Sequence, residues 1–119
     1  MLYNLDGDEM DGVPSKRQTA FNRWRGRLSD QQYQRIVDAV NSYIDGKDYF
    51  ISSFIPGQDW VGTVYEPIEA ACDHNRESSS YFFGLIVWLT VIERADEWIF
   101  KMADKNTEDI MGTTYFKKR

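Results

Sequence analysis

The chain has 119 residues, one His and one Cys, and 14 Lys and Arg against 19 Asp and Glu for a net charge of −5. That length suits one domain. With 42% apolar and 28% charged residues a packed core is expected and full disorder is not. A lone Cys excludes an internal disulfide scaffold, and no apolar run reaches the roughly 18 residues of a membrane span.

The start, Met1-Leu2-Tyr3-Asn4-Leu5-Asp6, shows neither the basic nor the apolar region of a signal peptide. A cytoplasmic protein with no membrane contact is expected. Residues 1–14 carry Asp6, Asp8, Glu9 and Asp11 and no base, and Asp11-Gly12-Val13-Pro14 reads as a turn. They are read as a flexible acidic arm, with residues 15–119 forming a single α+β domain.

Ser15 starts a helix that Gly26 stops, with Ala20, Phe21, Trp24 and Leu28 on one stripe. This stretch holds Lys16, Arg17, Arg23, Arg25 and Arg27 and no acid. Ser29 and Gln32 have the spacing of a capping box, and Leu28 and Tyr33 that of a hydrophobic staple. Tyr33, Ile36, Val37, Val40 and Ile44 then fit one face of a helix over 30–45, closed by Gly46. Residues 48–55 are aromatic and β-branched and are ended by Pro56-Gly57, which favours a strand. Pro67 suits the first turn of a short helix to Asp73. Glu77 to Arg94 is apolar nearly all round, too long for a strand, and is predicted to be a central helix enclosed by the rest. Trp98, Phe100 and Met102 alternate, Asp104-Lys105-Asn106-Thr107 is turn-like, and Ile110, Gly112, Thr114 and Phe116 alternate again. That pattern predicts a C-terminal β-hairpin.

The order helix, strand, helix, helix, hairpin resembles a winged helix in arrangement. No residue motif accompanies the resemblance. In such an arrangement the helix from Glu77 would read bases. Only Arg76, Ser78, Ser79 and Ser80 in its first turn offer donors, so a core role is favoured.

The interleaved bases and rings of 16–27 could hold phosphates while Phe21 and Trp24 stack on single-stranded bases. Their helical spacing favours docking of the two rings on the core instead. Lys117, Lys118 and Arg119 form a second basic cluster. Cys72 and His74 are the only soft metal ligands, where zinc generally needs four clustered ones. They read as a small buried thiol and a helix-end imidazole, and no metal or cofactor is expected. Gly57 and Gly62 have phosphate-loop spacing, but Thr63 stands where the Lys belongs, so the segment reads as a loop whose Trp60 packs. Asp6, Asp8 and Asp11 echo a calcium loop that Met10 and Arg17 break. No nucleophile is spaced to meet a base, so the chain is not expected to be an enzyme.

The expectation is therefore a small non-enzymatic binding or regulatory module acting through contacts with a protein partner or with itself. The candidate interface residues are Phe21, Trp24, Trp98, Phe100 and Tyr115. The alternative is a nucleic-acid-binding accessory protein using Lys16, Arg17, Arg23, Arg25, Arg27, Lys117, Lys118 and Arg119. A second alternative is an acidic decoy of a nucleic-acid-binding protein. Convergence of the two basic clusters beside the hairpin would favour nucleic acid. Dispersal, or pairing with acids, would favour protein.

Overall fold

A computed structural model describes residues 1–55, 60–101 and 113–118, with Phe54 described in its backbone alone. The elements in chain order are β1 (Leu2–Tyr3), α1 (Gln18–Arg25), α2 (Asp30–Ile44), β2 (Tyr49–Ile51), α3 (Glu66–Ala71), α4 (Arg76–Glu93), β3 (Trp98–Lys101) and β4 (Thr114–Lys117). Short 3₁₀ turns lie at Ser15–Arg17 and Ser52–Phe54.

Local chemistry accounts for the helix ends. Ser29 Oγ accepts from Gln32 N–H at 3.0 Å and Gln32 Oε1 accepts from Ser29 N–H at 2.9 Å, so the predicted capping box opens α2 with both its bonds. Gly46, at φ +80°, lets the chain reverse after α2 at no Cβ cost. Asn75 Oδ1 accepts from Ser78 N–H at 2.9 Å and opens α4. α3 stops at Ala71, two residues short of the expected end, because Asp73 and His74 take left-handed φ values of 56° and 58°. The strand expected over 48–55 is shorter too. Ser52 N–H makes a ladder-like bond to Thr113 O at 3.1 Å, and the chain then coils into a 3₁₀ turn.

α4 is the centre of the molecule. Ten of its residues, from Ser79 to Val91, are buried. α1, α2 and α3 pack on it directly. Phe82 meets Phe21 edge-on at 5.8 Å and Trp24 at 5.6 Å, which locks α1 onto α4. Phe83 packs with Tyr65 and Trp60, so Trp60 is a core residue as expected.

The four described strands form one mixed sheet in the order β1-β3-β4-β2. β3 and β4 pair antiparallel, as do β2 and β4, while β1 runs parallel to β3. The sheet's inner face carries Leu2, Trp98, Phe100, Tyr115 and Phe50, and Trp88 of α4 meets Phe100 at 4.7 Å. The Cα radius of gyration, 13.6 Å, is that of one compact α+β domain of this length.

Two expectations change here. Residues 1–14 do not stand apart as an arm. Leu2 is fully buried in the sheet, the Met1 ammonium donates to the carbonyls of Val91, Arg94 and Asp96 at 3.0, 2.6 and 2.9 Å, and Trp88 Nε1 donates to Gly12 O at 3.0 Å. The phase of β4 is also shifted by one. Tyr115 enters the core and Phe116 faces out, because register pairs Tyr115 with Phe100 and Phe50. The turn at 104–107, with Met102, Ile110 and Gly112, lies outside the described residues.

Tyr115 brings one polar atom into this core. Its hydroxyl is wholly buried with no hydrogen-bond partner among the described residues, and burial drives its pKa well above the ordinary phenol value. An unsatisfied buried hydroxyl costs about 1–3 kcal/mol. Tyr115→Phe is expected to leave the fold intact and raise stability by about 1 kcal/mol in denaturant unfolding. Phe82→Ala, by contrast, should lose about 3–5 kcal/mol in the same measurement, because it hollows the joint between α1 and α4.

Candidate interaction surface

Strand alternation sends every second side chain to the outer face. Register therefore lines up Tyr3, Ile99, Phe116 and Tyr49 in one row across all four strands. The next row holds Lys101, Thr114 and Ile51. No described helix covers this face. Tyr49 is 65% exposed and Phe116 43%, two of the large apolar side chains most open to water. They sit directly opposite each other on β2 and β4. Lys118 Nζ lies 4.7 Å from the centre of the Tyr3 ring, and Tyr3 Oη donates to Glu97 Oε1 at 3.2 Å.

The residues expected to form an interface lie elsewhere. Phe21, Trp24, Trp98 and Tyr115 are core residues and Phe100 is half-buried against Trp88, so these five hold the fold together from inside. Their neighbours, the half-buried Ile99 and the exposed Phe116, take the outward positions. Sequence reasoning missed Tyr3, Tyr49, Ile99 and Phe116. The spacing of Tyr49 with Ile51 and of Thr114 with Phe116 marks a shared face. Which face is buried is not readable when both are apolar.

The basic segment is largely engaged within the molecule. Arg25 pairs with Asp30 at 2.8 Å and lies over the Tyr33 ring at 4.1 Å. Arg27 donates to Ala71 O at 2.7 Å and to Asp73 at 3.2 Å. Arg17 covers Tyr81 at 4.5 Å, and Arg23 lies 5.9 Å from the Trp24 ring centre. Lys16 is exposed and also interacts within the chain. These groups ride on α1 and the turns flanking it, which pack on α3 and α4. Lys117 and Lys118 belong to β4 and its end, in the sheet. Arg119 lies outside the described residues.

A cleft of about 610 Å³ opens between α2 and the end of α4, lined by Tyr33, Val37, Asn41, Thr90, Glu93 and Arg94 among others. Its far wall is an ion cluster. Arg94 makes two bonds to Asp96, at 2.9 and 3.0 Å, one to Asn41 Oδ1 at 2.8 Å and one to Asp45 at 2.9 Å. These bonds tie the end of α4 to the end of α2. The Arg94 guanidinium holds the Asp96 carboxyl below the ordinary carboxylate range, and Asp96 in turn raises Arg94.

Cys72 and His74 diverge. Burial pushes the Cys72 thiol up to about 11, so it is protonated at neutral pH, while His74 is exposed beyond α3. Among the described residues no group of three His, Cys, Asp or Glu could hold a metal ion, and no helix is long and apolar enough to cross a membrane. The segment resembling a phosphate loop lies partly outside the described residues; its Gly62 N–H donates to Glu66 at 3.1 Å.

No family model, no curated protein and no solved structure matches the chain.

The Arg94–Asp96 pair sets a pH dependence. Because the folded pKa of Asp96 is depressed, its contribution is present above the unfolded value near 3.8 and is lost as pH falls through the lower folded value. Asp96→Asn should cost roughly 1 kcal/mol at pH 7 and clearly less near pH 2, which acid titration of the unfolding midpoint reads directly.

Proposed function

We propose that the chain is a small non-enzymatic binding module that acts through protein contacts, with the outer face of the sheet as its contact surface. The observation that carries this reading is the row Tyr3, Ile99, Phe116 and Tyr49. It crosses every described strand, and its two most exposed members are aromatic. Burying such rings against water contributes on the order of 1.5–3 kcal/mol each, and exposed aromatic patches mark interaction sites in soluble domains.

Two further observations support a protein partner over nucleic acid held by residues 16–27. Arg25 and Arg27 already have carboxylate partners, and Arg17 and Arg23 lie against rings of the same chain. Segment 15–27 and the β4 end also belong to different layers of the fold. A phosphate backbone would have to compete with those carboxylates for Arg25 and Arg27.

The test compares the native chain with the double variant Tyr49→Ser, Phe116→Ser, each immobilised and exposed to nuclease-treated extract of the source cells. Retained proteins should fall at least about tenfold in the double variant, as expected when two central anchors are lost. They should be unchanged in Arg23→Gln. Both substituted rings are exposed, so the melting temperature should drop only slightly. Equal retention by the native chain and the double variant would overturn the assignment of the surface.

A further inference from the structure

We infer that the α-amino group of Met1 is a modification-sensitive clasp: free, it locks β1 to the end of α4, and acylation of its nitrogen releases β1. The inference stands apart from the reading of the outer sheet face.

Three carbonyls build the clasp. The Met1 nitrogen donates to Val91 O at 3.0 Å, to Arg94 O at 2.6 Å and to Asp96 O at 2.9 Å. Val91 and Arg94 close α4, and Asp96 lies in the link to β3. The last carbonyls of a helix lack partners within its own ladder and form its negative pole. A basic side chain in the last turn ordinarily serves both needs. α4 has no basic residue in its last turn, and the side chain of its cap residue Arg94 is turned to Asp96, Asn41 and Asp45. The Met1 amine stands there instead. Val91 O also accepts from Arg94 N–H at 3.2 Å.

The same residue is held on its other side by the sheet. Met1 O accepts from Trp98 N–H at 2.9 Å, and Leu2 is fully buried in register with Trp98. Leu2 O accepts from Met10 N–H at 2.7 Å, and Tyr3 bridges to Glu9. β1 is only two residues long, so few ladder bonds attach it to β3. The amine's bonds are therefore a large share of its attachment.

Donor number decides what acylation does. Burial lowers the pKa of the amine; among the charges around it Asp96, Glu9 and Glu97 raise it and Arg94 lowers it. Protonated, the amine has three N–H donors, and neutral it has two. An acyl thioester that reacts with it forms the amide N–C bond, breaks its own C–S bond, and leaves a thiol and one proton. The amide nitrogen keeps a single N–H for the three carbonyls. Its new carbonyl is a further acceptor where acceptors already converge, and polar groups left unpaired in a partly buried site are destabilising.

The test compares three forms of the full chain, each checked by intact mass. One has a free α-amine, one is acetylated there by a co-expressed Nα-acetyltransferase, and one is extended by Gly-Ser before Met1. Both altered forms should melt roughly 5 °C or more below the free form. The extended form keeps a free amine, displaced by two residues, so an equal drop assigns the effect to the Met1 nitrogen. In native-state hydrogen exchange the amides of Trp98 and Met10 report on β1, and those of Ile36 and Val40 on α2. Acetylation should reduce protection of the first pair at least about tenfold more than that of the second. Unchanged melting and exchange in the acetylated chain would overturn the clasp, and so would an extended form that behaves like the free one. An equal loss of protection at all four amides would overturn the release of β1.

Discussion

An eighteen-residue helix that is apolar on every side has to be enclosed, and the rest of this molecule is arranged to enclose α4. One layer of helices cannot do it alone. α1, α2 and α3 pack on it directly, with Phe21 and Trp24 bridging from α1 to Phe82. The sheet closes the remaining side, where Trp88 meets Phe100 and donates its indole N–H to Gly12 O. The first residues of the chain are drawn in by the same demand. Leu2 fills the sheet's inner face and the Met1 ammonium docks on carbonyls at and just beyond the end of α4.

Enclosing α4 uses one face of the sheet and leaves the other unclaimed. The strands are two to four residues long, so each side chain in them matters to one face or the other. The inner positions take Trp98, Tyr115 and Phe50, with Phe50 stacked on Tyr115 at 4.8 Å and edge-on to Trp98 at 5.3 Å. The outer positions hold Tyr49 and Phe116. A strand with only one buried face would ordinarily alternate apolar and polar. These strands place apolar groups on both, and that departure is the reason the outer face carries a functional reading. The polar features elsewhere serve the fold. The Arg94 cluster pins two helix ends together, and the arginines on and beside α1 fix the approach of α1 to α2, α3 and α4 through Asp30, Ala71, Asp73 and Tyr81.

What could be read from the sequence follows the range of the interaction. The bounds of α2 were legible because its cap, Ser29 with Gln32, and its stop at Gly46 lie within a few residues of the ends they determine. The enclosure of α4 was legible because no side of it is polar enough to face water. The α+β class followed from these local patterns taken together. β1 was hidden because two residues, Leu2 and Tyr3, make no periodic signal, and their pairing with Trp98 and Ile99 spans nearly the whole chain. The candidate interface residues were misplaced for a related reason: aromatic content marks them as important and says nothing about which side of the sheet they occupy.

The sequence by itself determined the helices, the compact single domain and the acidic balance, because capping, helical periodicity and net charge are local or additive properties. Tertiary structure alone decided which of two apolar strand faces met α4, that Tyr115 went in while Phe116 stayed out, and that Arg25 and Arg27 found carboxylate partners within the chain. Those outcomes depend on cross-strand register and on contacts between residues far apart in the chain, and no spacing within a single segment encodes them.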